Sequence, residues 1–546
     1  MSLVVYVVVT FGAAALAIAL RTRRPWGLAA GLLGLVAAIV AAIAIDPTQT
    51  LVIGGAGIAT SAYLRLFLIL GSIVALGLTV AGLASGTRRD APAVTLTVLG
   101  SAALTMALVD PRLAVLAATT GGLFGVLITL TPRDGRAGAT VGILETRAVV
   151  VAGALAIAAT AWIGRDLSQL DAQPVVFGLA YLAFATAVAM RFGAIPFHLW
   201  AARLTDVVPE TALPVLTAIA PASMAVVALA WVSSAVAPVA VDLTPERYIV
   251  LAIAVATIVL AAVAAFVQDD LEHVLGYSIV SDAGVIVLAL AVVGPDALAP
   301  GRTWILMFIV ARGAFAVWAA GIRAGFFTGR VADLRGWARR SPILLVALLV
   351  VAVASIGFPG LASFDARASL VRLAVAQPLS SVLLIVTLVP LIYYGRLLAI
   401  GLARPDRVGE PVVAWRPLGE RPTSGGIRLW GRRTWDANRA FTTATLAALL
   451  ALLALATAAG AFGGPAAAAE PVPTVAIPDE FGRPVPSIGL PVRRASAAPS
   501  VPASFVPASA VPASSLPASD GPSSEPAASP FGEPSAVPSG SESPLP

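Results

Sequence analysis

Apolar stretches of 18 to 25 residues recur along this chain from its first residues to residue 463, and they restrict its fold more than any other feature. At about 1.5 Å of rise per helical residue, each is long enough to cross the roughly 30 Å of hydrocarbon in a bilayer. The runs fall near 2–20, 26–45, 62–85, 92–109, 112–130, 147–164, 174–195, 212–235, 248–267, 274–294, 303–326, 342–362, 376–402 and 440–463. Composition agrees: 58% of residues are hydrophobic and 12% charged, with a mean hydropathy of +0.92, whereas soluble domains are about one quarter charged. An all-α integral membrane protein of about 14 transmembrane helices is expected. The first run has no basic segment before it and is followed by Arg21, Arg23 and Arg24, so it reads as a helix and not as a cleaved leader.

The arginines between the runs set the expected orientation. Alternate loops hold Arg21, Arg23, Arg24, Arg88, Arg89, Arg133, Arg136, Arg330, Arg335, Arg339, Arg340 and the cluster from Arg404 to Arg439; the opposite loops hold mostly single ones, Arg165, Arg247 and Arg302. With an even helix count, both termini are expected outside a cell membrane and the basic loops in the cytoplasm. From about Gly464 the chain turns to Pro, Ala and Ser, with near-repeats such as VPASFVPASAVPASSLPASDGP. Such a segment buries too little apolar surface to offset its ordering entropy and is expected to be a disordered tail. The expected organisation is therefore 1–90 as helices 1–3, 91–403 as the core of helices 4–13, 404–439 as a basic cytoplasmic loop, 440–463 as the last helix and 464–546 as the tail.

The 35 basic residues are all arginine; the chain has no lysine. Arginine keeps its proton when buried, so no relay of neutral lysines can run through this chain. There is no cysteine, and His198 and His273 are the two histidines, which excludes thiolate-bound iron–sulfur clusters and bis-histidine haem within it. No phosphate-binding glycine loop, nucleophile elbow or metal-ligand cluster is present. The stretch from Arg404 to Arg439 carries Trp415, Trp430 and Trp435, but its place beside a membrane segment suits anionic lipid headgroups better than nucleic acid.

Polar residues inside membrane segments are costly and mark function or structural pairing. Three clusters carry them. The first is Met190-Arg-Phe-Gly-Ala-Ile-Pro-Phe-His-Leu-Trp200, a cation inside an apolar run with Pro196 to break the helix; His198 alone reads equally as an interfacial histidine. The second is Gln268-Asp-Asp-Leu-Glu-His-Val-Leu-Gly-Tyr-Ser-Ile-Val-Ser-Asp-Ala-Gly284, which places Asp282 inside a helix. The third is Ser355-Ile-Gly-Phe-Pro-Gly-Leu-Ala-Ser-Phe-Asp-Ala-Arg367, where Gly357, Pro359 and Gly360 interrupt a helix ahead of Asp365 and Arg367. Interrupted helices free backbone groups, which a membrane tolerates only beside protein or a water-lined cavity.

In order and spacing these clusters resemble the antiporter-like membrane subunits of respiratory complex I and of multisubunit cation/proton antiporters, whose patterns read F-K-x-x-x-x-P-F-H-x-W, D-D-L-K-R-L-L-A-Y-S-S-I and G-x-P-P-L-x-G-F-x-x-K. Asp333-Leu-Arg-Gly336 and Tyr393-Tyr-Gly-Arg396, similar to the family's Y-Y-x-R, extend the likeness to roughly residues 90–405. The quinone-proximal member, called subunit N or 2, looks closest, because no long lateral helix follows the last run. The resemblance implies two inverted five-helix repeats, two broken helices and a hydrophilic axis across the membrane plane. It also implies proton translocation coupled to electron transfer elsewhere, partner membrane subunits, and quinone and NADH held only by partners, with no cofactor in this chain.

The chain departs from that pattern where the family carries its lysines. The two broken-helix lysines fall on Arg191 and Arg367; two others, in A-P-K-x-A and H-A-x-F-K-A patterns, fall on Ala222 and Ala316, with Arg312 at the histidine; the family's glutamate on the fifth helix falls near Thr119 or Thr120. A path would need other groups that exchange protons near neutral pH. Glu145, His198, Asp282 and Asp365 are the candidates, with Arg191 and Arg367 as fixed charges. Asp282 reads either as the key carboxylate of such a path or as the ion-pair partner of a neighbouring arginine such as Arg312. At the level of the whole chain, the alternatives to a conducting subunit are a structural paralogue that conducts nothing and an unrelated secondary transporter.

Overall fold

The computed structural model describes residues 2–85, 91–130, 136–163, 174–237, 242–404 and 427–462. The tail, residues 405–426 of the basic stretch with Trp415, and Arg88, Arg89, Arg133 and Arg165 lie outside the described residues. In chain order, α1 (Leu3–Ala19) and α2 (Arg24–Ile43) lead into a hairpin of β1 (Thr50–Ile53) and β2 (Ala56–Ala59). There follow α3 (Ala62–Ser85), α4 (Ala91–Ala107), α5 (Pro111–Leu130), α6 (Arg136–Trp162), α7 (Pro174–Arg191), α8 (Leu199–Leu204), α9 (Ala220–Trp231), α10 (Thr244–Val267) and α11 (Leu271–Leu290). The remainder is α12 (Leu298–Phe326), α13 (Trp337–Arg340), α14 (Pro342–Ile356), α15 (Ala362–Ala374), α16 (Leu379–Val386), α17 (Leu391–Leu402) and α18 (Ile427–Ala458).

Among the described residues, ten helical segments of 18 residues or more are apolar enough to span a membrane. Four shorter apolar helices, Leu3–Ala19, Ala91–Ala107, Val175–Arg191 and Pro342–Ile356, occupy the remaining apolar runs, so the all-helical membrane architecture holds. The differences lie where polar residues cut an apolar run. Helix α6 starts at Arg136, well before the expected 147, because Thr140, Glu145, Thr146 and Arg147 are helical although they interrupt the hydropathy. Similarly, α18 begins at Ile427 and takes up part of the stretch read as loop. The run 376–402 is two helices, parted at Thr387–Pro390. Helix α9 is flanked by π-helical turns at Val215–Ile219 and Val232–Val236.

The hairpin is an element that apolar periodicity did not announce. Thr50 pairs with Ala59 and Ile53 with Ala56, and the two-residue turn places Gly54 and Gly55 at φ +58° and +83°. A tight turn of this hand needs two positive-φ residues, which glycine supplies without a Cβ clash. Ahead of it, the Thr48 amide (3.0 Å) and hydroxyl (2.8 Å) donate to Asp46 Oδ1 and hold that carboxyl below its ordinary pKa. The α4–α5 turn sits at the same end, since the Val109 amide donates to Gly57 O (3.0 Å). The α10–α11 and α12–α13 connections meet at the other end through the bridge Asp270–Arg330.

Helix α12 is the axis of the bundle, buried along its length and packed against α3, α9, α11, α14, α15 and α18. In lipid the hydrophobic effect adds little between helices, so close backbone approach through small residues does the work. A Cβ on Gly284 of α11 would stand 3.0 Å from Ala254 O of α10, and one on Gly77 of α3 would stand 2.8 Å from Leu450 of α18. Buried indoles find acceptors as well: Trp318 donates to Leu344 O (2.9 Å) and Trp337 to Leu397 O (3.2 Å).

Candidate functional site

The first interruption follows from a helix stop. At the end of α7 the Gly193 amide donates to Met190 O (3.1 Å) and the Ala194 amide to Ala189 O (2.8 Å), with Gly193 at φ +64°. This is the glycine-terminated turn that satisfies a helix's last carbonyls. It ends α7 at Arg191, whose side chain is 2% exposed. The guanidinium passes between α5 and α6: a Cβ on Gly122 would lie 2.7 Å from Arg191 Nη2 and one end of Val149 borders the same spot. One turn of α6 before Val149 stands Glu145, buried, accepting a hydrogen bond from Thr129 Oγ1 (2.6 Å) and within Coulombic range of Arg191.

The second interruption separates α14 from α15. Gly357 sits at φ +66° with its amide still bonded to Val353 O (2.9 Å), and its carbonyl, freed from the helix ladder, accepts from Arg367 Nη2 (3.4 Å). Arg367 Nη1 donates to Thr387 O (3.4 Å), at the gap between α16 and α17. The carbonyls of two broken helices thus receive one guanidinium, which also lies over the Trp304 ring (5.6 Å). Arg367 is 1% exposed.

Between them lies a buried polar knot. Arg312 Nη2 of α12 pairs with Asp282 Oδ2 of α11 at 2.6 Å, with side chains 0% and 4% exposed. Arg312 also donates to Ser278 Oγ (2.8 Å) and Tyr394 Oη (3.0 Å), and the Tyr394 hydroxyl continues to Ser355 Oγ (3.1 Å). Tyr393 reaches the same guanidinium at 3.5 Å. The Trp304 indole donates to Asp282 O (3.2 Å), tying the knot to the Arg367 side. Ring contact joins it to the first interruption, because Phe192, next after Arg191, meets Phe308, one turn before Arg312 (centroids 5.8 Å apart).

Of the residues singled out from sequence, the structure gathers Glu145 with Arg191, and Asp282 with Arg312 near Arg367. It does not bring His198 or Asp365 to either group. His198 caps α8, half-buried, and its Nδ1 has no hydrogen bond among the described residues. Asp365 is exposed, two positions from Arg367 and so on the opposite side of α15. Thr119 donates back to Val115 O (2.8 Å), and Ala222 and Ala316 are fully buried, so these positions serve packing.

Sequence reasoning missed a third charged group at the end of the bundle away from the hairpin. Arg323 lies 3.4 Å from the buried Glu210 and pairs with Glu272, while His273 Nε2 meets Asp206 Oδ1 at 3.1 Å. Glu272 and His273 occupy the K-R positions of the D-D-L-K-R pattern, and the reversal of charge at Glu272 was visible in the sequence. Arg396, in the Tyr-Tyr-Gly-Arg motif, caps α10 by donating to Phe266 O and to Gln268 O (2.5 Å) and stands 3.5 Å from Asp269.

Buried arginines at two helix interruptions are the arrangement that the sequence motifs imply, and comparison with known families decides which one they fit. Residues 156–392 match the NADH:quinone oxidoreductase/Mrp antiporter transmembrane family. That segment holds all three motif clusters, with Arg191, Asp282, Arg312 and Arg367; Glu145 lies outside it. Among curated relatives, the NADH-quinone oxidoreductase subunit N of Halorhodospira halophila is 31% identical over 241 residues, 42% of this chain and 47% of that one. Subunit N 2 of Rhizobium meliloti is 27% identical over 43% of this chain and 49% of its own. These matches span about half the length of the relatives. A chain of the Mrp complex from Dietzia sp. DQ12-45-1b superposes with a TM-score of 0.68 at 18% identity, over 86% of this chain and 96% of that one. One from respiratory complex I of Thermus thermophilus superposes at 0.62 and 20% identity, over 86% and 100%. The fold of this chain is that of the antiporter-like subunits.

Proposed function

We propose that this chain is a divergent antiporter-like membrane subunit of a complex I-like or Mrp-like assembly, in which buried carboxylate–arginine pairs replace the lysines of the proton path. The observation that carries this reading is the placement of Arg191 and Arg367 at the two helix interruptions, each with a buried carboxylate, Glu145 or Asp282, in Coulombic range. Arginine fixes positive charge without releasing a proton, so transfer in either half falls to its carboxylate. Glu145, held by one hydroxyl, is the more readily exchanged of the two; Asp282 is engaged by Arg312 directly. Electron transfer, quinone and NADH belong to partner subunits, and other membrane subunits and anionic lipids are its neighbours. The arginine distribution supports a multi-pass position in the cell membrane with both termini on the outer side.

The test is proton uptake, followed with a pH-sensitive dye, in vesicles holding the native complex, comparing wild type with Glu145→Gln and Asp282→Asn at matched assembly. Loss of uptake in Glu145→Gln with the complex intact supports a carboxylate path. A second reading, a structural paralogue that conducts nothing, is favoured by the Arg312–Asp282 knot, in which Arg312 already engages Asp282 in a buried ion pair. Unchanged uptake in both variants would establish that reading in place of the first.

A further inference from the structure

At the end of the bundle away from the hairpin, two carboxylates share one cation. Glu210 Oε2, from the connection between α8 and α9, lies 3.4 Å from Arg323 Nη1, and Glu272, in the first turn of α11, pairs with Arg323 Nη2. The two acids are thus within Coulombic range of each other across one guanidinium, carried on the last turn of α12. Glu210 is 1% exposed, and neither of its oxygens accepts a hydrogen bond among the described residues. Its backbone is fixed in place: Pro209 O takes the Ala212 amide (2.9 Å), and Thr205 of the same connection packs so closely on Gly276 of α11 that a Cβ there has no room.

The neighbouring charges have partners of their own. His273 Nε2 meets Asp206 Oδ1 at 3.1 Å, and Arg203 stands 3.8 Å from Asp206 Oδ2. Asp269 faces Arg396 (3.5 Å), Asp270 is bridged to Arg330 through the backbone, and the Thr328 hydroxyl donates to Asp333 (3.4 Å). No second cation pairs with Glu210 or Glu272 among the described residues. Two ionised acids on one guanidinium leave an uncompensated negative charge, and a buried position makes that costly. Carboxylates sharing one site do not both ionise. A proton on one of them removes the excess charge and supplies the donor that Glu210 lacks, because its O–H can donate to an oxygen of the other.

We propose that Glu210 and Glu272 hold one proton between them, with Arg323 as the fixed counter-charge, and deliver it toward Glu145. Delivery rests on the reading that the chain moves protons; the shared proton does not. With the proton held, one carboxylate balances one guanidinium; once it leaves, the uncompensated charge draws the next. Pro209 and Thr211, on either side of Glu210, line a cavity of about 20 Å³ together with Thr79, Thr95 and Ile128. A water needs roughly 10–15 Å³ and two to four polar partners, so this volume and three hydroxyls suit one water. Ile128 adjoins Thr129, whose hydroxyl bonds Glu145, which places the cavity between the Glu210 segment and the end of α5 that holds Glu145. On the other side His273, next to Glu272 and part-exposed, is an imidazole able to exchange protons with water. Glu272 stands where the D-D-L-K-R pattern has a lysine, so the pair is a feature of this chain and not of that pattern.

Infrared difference spectra of the purified full chain near neutral pH read the shared proton as the carbonyl stretch of a protonated carboxyl group, shifted in deuterium oxide. Glu210→Gln and Glu272→Gln should each remove one such band, and the double variant should remove the same single band. Glu272→Asp keeps the acid and changes the shape, whereas glutamine keeps the shape and removes the acid; retention of the band in Glu272→Asp separates the proton from packing. No band lost from either single variant, or two lost from the double variant, would overturn the shared proton. Dye-reported uptake in vesicles holding the native complex reads delivery: it should be several-fold slower in Glu272→Gln and near wild type in Glu272→Asp. Unchanged uptake in Glu272→Gln, where Glu145→Gln abolishes it, would overturn delivery and leave the proposed function standing. Absence of uptake in the wild type would overturn that function and delivery together, with the shared proton still decided by the infrared bands.

Discussion

Arg312 Nη2 stands 2.6 Å from Asp282 Oδ2 where neither side chain reaches the surface, and the guanidinium also donates to Ser278 and Tyr394. A buried pair of this kind is worth little over an apolar substitute, because desolvating two charges offsets their attraction, yet breaking it strands one charge. The pair therefore fixes the register of α11 against α12 more than it adds stability.

Asp282→Ala should destabilise the full chain by about 3–5 kcal/mol by leaving Arg312 unpaired, whereas adding Arg312→Met should restore most of the loss. A double-mutant cycle on thermal unfolding in detergent measures both; additive effects would contradict direct coupling.

Arg367→Lys tests the missing lysine. A buried lysine can lose its proton and an arginine cannot, so vesicles with this variant should show faster dye-reported proton uptake than wild type at equal assembly. No gain, with the complex intact, would mean that the path is closed elsewhere.

Gly122→Ala should push Arg191 out of place, since the new Cβ would lie 2.7 Å from Nη2. Overpacking of this sort costs typically about 1–3 kcal/mol. Thermal unfolding of Gly122→Ala alone and with Arg191→Ala checks the cause: the second change should relieve the first.

Arg396→Ala should uncap α10 without touching the interior knot, because its donors reach Phe266 O and Gln268 O. Charge-assisted hydrogen bonds contribute about 1.5–3 kcal/mol, so amide exchange should quicken across the α10–α11 turn while the amides of α12 stay protected.

Helix number and the likeness to the antiporter family were legible because both rest on local signals: apolar runs of spanning length, and residue types at fixed spacing around Arg191, Asp282 and Arg367. Glu145 was placed ahead of its helix for the same reason, since a hydropathy run ends at a charge while a helix whose charge has a buried partner does not. The sequence offered Arg312 as a partner for Asp282 but could not choose it over other arginines; the antiparallel register of α11 and α12 does so. It offered Asp365 and His198 as equals of Glu145, and tertiary packing separates them by turning one outward and leaving the other at a helix cap. Composition determined the solvent, the helices and the want of a lysine relay. Which charges meet was decided only by packing, because a buried charge takes its meaning from what stands within a few ångströms of it.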